Sequence, residues 1–163
     1  MKRINIRCWI RFAAALVAAL GIFASATSST HAKQAKKPVV ISAAGASGCL
    51  AIHRASRSQG KSAVIGDCHG KVSQQWVRTS SKQFQVKHSG LCLNILNADK
   101  KRGAAVVQES CEKAKSQQWY VTSKGEIRSK LNHMCLTISH GGSRIVMNGC
   151  SGAANQLCKL GGL

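Results

Sequence analysis

The tetrapeptide Ser-Gln-Gln-Trp occurs twice, as Ser73-Gln74-Gln75-Trp76 and Ser116-Gln117-Gln118-Trp119, with the tryptophans 43 residues apart. A third copy, Asn155-Gln156-Leu157-Cys158, ends 39 residues after Trp119 and carries Cys where the others carry Trp. Self-similarity at a nearly fixed period means one supersecondary unit laid down repeatedly. A unit of about 40 residues cannot bury an apolar face alone, so the copies must bury it against one another. Three copies therefore predict a threefold architecture.

Further residues fall on the same grid. Cys49-Leu50-Ala51-Ile52, Cys92-Leu93-Asn94-Ile95 and Cys135-Leu136-Thr137-Ile138 open the units at steps of 43 residues. In each, the Leu and Ile stand two apart and share the inward face of a short strand. Each unit has a second cysteine, Cys68, Cys111 or Cys150. A valine stands four residues before it (Val64, Val107, Val146) and a glycine eight before it (Gly60, Gly103, Gly142), where a turn with positive φ is expected. The Gln-x-Trp strand follows, and then a strand marked by Phe84 or Ile127, eight residues ahead of the next unit's first cysteine.

The third unit needs such a strand too, with five residues left after Cys158. Ile41 lies eight residues before Cys49, so Val39-Val40-Ile41 is expected to fill that place and close the ring. Short apolar runs broken by Gly, Ser, Asn and Lys, with no eleven-residue stretch of helical period, make the domain all-β. Closure of three four-stranded units removes exposed sheet edges and leaves one shared core.

The cysteines follow the grid at separations of 19, 19 and 15 residues, which pairs Cys49 with Cys68, Cys92 with Cys111 and Cys135 with Cys150. Each disulfide would close a loop worth roughly 3 kcal/mol. Zinc is the weaker alternative, because there is no Cys-x2-Cys pair and His69, His133 and His140 keep no repeated spacing. No metal or other cofactor is expected. Cys158 is left over, either as a buried free thiol or as a disulfide to a partner chain, the former preferred because the matching tryptophans belong to the core.

Residues 1–32 differ from the rest. Lys2, Arg3, Arg7 and Arg11 precede an apolar run from Ala13 to Ala24, and Ala24-Ser25-Ala26 and Thr30-His31-Ala32 offer small-residue cleavage sites. This order predicts a signal peptide cut after Ala26 or Ala32, and a secreted or periplasmic protein. Read as a membrane anchor, the run falls short of the roughly twenty residues a span needs. No transmembrane segment is expected after cleavage. Residues 33–38 form a basic lead-in and residues 39–163 the domain.

The full chain has 24 Lys and Arg against 5 Asp and Glu, a formal net charge of +19. Such a field favours acidic partners such as sulfated or uronic glycans. Candidate cations are Arg54, Arg57 and Lys61 in the first unit, Lys100, Lys101 and Arg102 in the second, and Arg144 in the third. Nucleic acid is not favoured, since the few aromatic residues fall on core positions and leave none to stack bases. An enzyme is not expected either: no nucleophile elbow, zinc-protease motif or phosphate loop is present. His53, His69, His88 and His140 read as surface polar groups.

The threefold set of Cys-Leu-x-Ile, second cysteine and Gln-x-Trp resembles the ricin B-type lectin family of β-trefoils over residues 39–163. The resemblance implies that Gln74, Trp76, Gln117, Trp119 and Gln156 are structural. It also implies sugar sites at three other positions: an Asp two after the first cysteine, an aromatic two before the second, and an Asn just before the Gln. Those positions hold Ala51, Gly66 and Ser73 in the first unit, Asn94, Glu109 and Ser116 in the second, and Thr137, Asn148 and Asn155 in the third. No unit has a stacking ring, and the first has lost every expected residue. The expected function is an exported, non-catalytic module for acidic or cell-surface glycans, held through basic loops that include Lys101, Arg102 and Arg144. The layout is also similar to the lectin-like subunits of cytolethal distending toxins, which implies a protein partner as the alternative.

Overall fold

The structure, a computed structural model, describes residues 36–45, 47–139 and 142–162. The expected signal peptide lies outside them, as does His140. Twelve short strands and five three-residue 3-10 turns make up the described chain.

The strands repeat in fours. Unit one contributes β2 (Cys49–Ile52), β3 (Ala63–Gly66), β4 (Gln75–Arg78) and β5 (Phe84–Val86). Unit two contributes β6 (Cys92–Ile95), β7 (Val106–Glu109), β8 (Trp119–Val121) and β9 (Ile127–Ser129). Unit three has β10 (Cys135–Ile138), β11 (Ile145–Asn148) and β12 (Cys158–Gly162), and β1 (Val39–Ala43) completes it. The register shows how. Trp76 faces Val86 and Arg78 faces Phe84; Trp119 faces Ser129 and Val121 faces Ile127; Cys158 faces Ala43 and Leu160 faces Ile41. The N-terminal strand thus occupies the fourth-strand position of the last unit.

These six strands close on themselves. β1 pairs with β4, Trp119 N donates to Lys82 O at 3.0 Å, and Cys158 N donates to Gly125 O at 2.9 Å. The remaining strands form the hairpins β2–β3, β6–β7 and β10–β11. Each hairpin bridges to the next at one repeated pair of positions, Ser62 with Val107, Ala105 with Val146 and Arg144 with Val64. The fold is a β-trefoil.

One apolar layer from all three units fills the centre. It includes Ile41, Phe84 and Ile127, then Leu50, Leu93 and Leu136, and the two tryptophans, all fully or almost fully buried. Buried Gln side chains tie each unit internally. Gln74, Gln117 and Gln156 donate from Nε2 to the carbonyl just before the second cysteine (Asp67, Ser110, Gly149) at 2.7 to 2.8 Å. Their Oε1 accepts the amide just after it (His69, Glu112, Ser151) at 2.8 to 2.9 Å. The three expected disulfides are present, and Cys158 is a buried free thiol. Burial pushes its pKa up to about 11.

Two expectations need correction. Gly60 and Gly103 have positive φ and donate to Gln108 O and Met147 O, but Gly142 has no positive φ and instead turns back to Ser139 O. His88 is not a surface group: it is 7% exposed and donates from Nε2 to Ser56 O at 2.8 Å. Gln108 joins it there, donating to Ser56 O and Ser58 O while accepting from Ser89. This polar cluster fastens unit one to unit two.

Candidate functional site

The second unit's three expected positions converge. Asn94 comes from the middle of β6, Glu109 from the end of β7 and Ser116 from the 3-10 turn before β8. The ladder sets the first two: Asn94 faces Val107, and Glu109 lies two further along the same face of β7. Such diagonal neighbours stand roughly 7–8 Å apart. With Glu112, Ala114 and Gln59 they line a hollow of about 260 Å³.

Asn94 is 9% exposed, and its Oδ1 is buried without a hydrogen-bond partner among the described residues. An unpaired buried carbonyl of this kind costs on the order of 1–3 kcal/mol. Nothing in the fold requires a polar group there, because Ala51 holds the matching place in unit one. The hollow is also acidic: Glu109 and Glu112 border it and no Lys or Arg does.

Gln59 and Glu112 were not foreseen. Gln59 belongs to unit one, nine residues before Cys68, and accepts the Ser110 amide at 3.4 Å. The tips of the first two hairpins lean on the following unit. Arg102, nine residues before Cys111, does the same in unit three, with its guanidinium against Gly149. Arg102 therefore does not line the Asn94 hollow. Lys101 turns back on its own loop, donating its amide to Asp99, and Arg144 lies at the junction of units three and one. The candidate cations are thus divided among separate junctions.

The other two units differ. Unit one keeps a hollow of about 430 Å³ with Arg54, His69 and Lys71 around it, but Ala51 and Gly66 offer no polar side chain to a sugar. In unit three the polar groups serve the protein. Asn155 Nδ2 donates to Ile138 O at 3.0 Å, and Thr137 Oγ1 donates to Cys135 O while accepting from Gln156. Asn148, in β11, is half-buried.

The sulfurs of Cys135 and Cys150 lie close to the buried Glu126 carboxylate. Both are joined in a disulfide, so they supply no thiolate to a metal. Glu126 instead accepts from Arg128 at 2.8 Å. Among the described residues, no helix is long and apolar enough to cross a membrane.

The model of the ricin-type β-trefoil lectin domain matches residues 37–157. Among solved structures, the chain is similar to the designed threefold-symmetric protein ThreeFoil, with a TM-score of 0.72 and 25% identity over 77% of this chain and 99% of that one. The C-half of the earthworm R-type lectin, solved with GalNAc, matches with a TM-score of 0.67 and 15% identity over 78% and 99% of the two chains. The β-trefoil lectin of the Vibrio vulnificus hemolysin/cytolysin, solved with N-acetyl-D-lactosamine, gives 0.65 and 21% over 77% and 94%. No curated protein sequence matches the chain.

Proposed function

The chain belongs to the ricin-type β-trefoil lectin family, and from that we propose that it is an exported, non-catalytic carbohydrate-binding module that holds one sugar in the hollow of its second unit. The observation that carries the reading is Asn94, which lines that hollow beside Glu109 and Ser116 and whose buried Oδ1 has no hydrogen-bond partner among the described residues. Its Nδ2 can donate to a sugar hydroxyl, and Glu109 supplies an acceptor across the ladder. Three disulfides support export, since such bonds persist in oxidising compartments.

Glu109 and Glu112 make this hollow a place for a neutral sugar. A uronate or sialate carboxylate set between two carboxylates is repelled. The net positive charge then acts outside the hollow, drawing in glycans that carry acidic groups elsewhere along their length. Without a stacking ring, one site should be weak, with a Kd on the order of 1 mM.

A glycan array of the wild type and Asn94→Leu, in low and high salt, tests this. Binding to galactose-type glycans that survives high salt and disappears in Asn94→Leu supports the reading. Binding unchanged by that substitution, or no binding to any neutral glycan, contradicts it.

A further inference from the structure

The loop after Cys111 has two sides. Glu112, Ala114 and Ser116 face the sugar hollow, while Lys113 and Gln118 border a separate cleft of about 340 Å³. Lys82, Lys130, Ser80 and Ser81 complete that cleft. Three cations from three chain segments thus meet over two hydroxyls, with no acid on the walls.

The backbone holds the lysines in place. Lys82 O accepts from Trp119 N, and Lys130 N donates to Gln118 O at 2.8 Å. Gln118 Nε2 donates to Lys113 O at 2.9 Å. All three are thereby fastened to the Gln118–Trp119 segment, and their ammonium groups have no hydrogen-bond or ion-pair partner among the described residues. Arg128–Glu126 is the one ion pair there.

The repeat supplies an internal comparison. In unit one the places of Lys82, Lys113 and Lys130 hold Val39, Gly70 and Lys87; in unit three they hold Gly125, Gly152 and Ala44. The same frame forms each time, so the fold does not need the lysines. Where one remains, Lys87 donates to Gln75 Oε1 at 3.1 Å and so has a partner within the protein. Three unpaired like charges held together repel one another, and a bound multivalent anion relieves that repulsion.

We propose that the Lys82–Lys113–Lys130 cleft is an oxyanion site for a sulfate or phosphate monoester group on a glycan. The hydroxyls of Ser80 and Ser81 and the Gln118 amide can complete the hydrogen bonding around the group. The glycan assignment rests on the lectin reading, because cleft and sugar hollow lie on opposite sides of one loop. The anion site itself rests on the lysines.

The test uses the full mature chain at fixed ionic strength. Probes are sodium sulfate, sodium phosphate, a sulfated chondroitin oligosaccharide, its desulfated form, a phosphorylated oligosaccharide and a single-stranded oligonucleotide. The variant Lys82→Gln/Lys113→Gln/Lys130→Gln is compared with Lys36→Gln/Lys37→Gln/Lys159→Gln, which removes the same charge from exposed positions outside the cleft. The proposal expects the cleft variant to lose about tenfold in affinity for the sulfated or phosphorylated saccharide, and the charge-matched control less than about twofold. Relative loss toward the two esters identifies the source of the group. Equal losses in both variants would mean diffuse attraction and overturn the site, as would oligonucleotide binding that depends on the lysines while saccharide binding does not. Asn94→Leu should leave sulfate binding unchanged, so failure of the sugar hollow and failure of the anion cleft can be told apart.

Discussion

Trp119 donates its indole N–H to the carbonyl oxygen of Leu93 at 3.1 Å, the bond that Trp76 makes with Leu50 at 2.9 Å. Each bond ties the third strand of a unit to its first, from a ring with no exposed surface. Trp119→Phe keeps most of the apolar surface but leaves the Leu93 carbonyl without this donor. The expected cost is about 1–3 kcal/mol, against about 3–5 kcal/mol for Trp119→Ala. Urea unfolding of the two variants checks the order, and an unchanged stability in Trp119→Phe would deny the hydrogen bond its role.

Gln117 holds both ends of the loop that borders the sugar hollow, through Ser110 O and the Glu112 amide, and also accepts from Gln83 Nε2 at 2.9 Å. Gln117→Leu leaves these buried groups unpaired. A loss of about 2–4 kcal/mol is expected, together with weaker sugar binding even under conditions where the variant is folded. Thermal unfolding and a sugar titration on the same sample read the two effects separately.

Cys158 sits in the third tryptophan's place, 8% exposed, with its pKa pushed up to about 11 by burial. An unfolded cysteine ionises near pH 8.5. Between these values the unfolded chain has lost a proton that the folded chain keeps, so this group's contribution is whole below the window and falls as pH rises through it. The fall is on the order of 3 kcal/mol. Cys158→Ala should remove that part of the alkaline slope. Iodoacetamide should react slowly with the native protein at pH 8 and rapidly once it is unfolded, because the thiolate is the nucleophile.

Most of the architecture was legible in residue spacing because a repeat turns each feature into three measurements. Ile41 could be matched to Phe84 and Ile127 by distance from the next cysteine, and its pairing with Leu160 follows from that match. The disulfides and the buried Gln side chains are legible for the same reason. Spacing within a unit is blind to contacts between units. Gln59 reaches the second unit's hollow from the first, and Arg102 leans on the third; their shared distance from the second cysteine was the available signal. His88 looks like a surface group along the chain because the Ser56 carbonyl that accepts from it lies 32 residues earlier. The lysine cleft has no signature along the chain, since its three cations are separated by 31 and 17 residues.

The central claim is that the second unit's hollow takes a sugar through Asn94, and side-chain amide NMR tests it most directly. Titrating the protein with N-acetylgalactosamine and with N-acetyllactosamine should shift the Asn94 Nδ2 resonances and the backbone amides of Glu109 and Ser116, saturably and with a Kd on the order of 1 mM. The matching amides of Ala51 and Gly66 should stay still. Shifts confined to the first unit, or no saturable shift at Asn94 with either sugar, would contradict it.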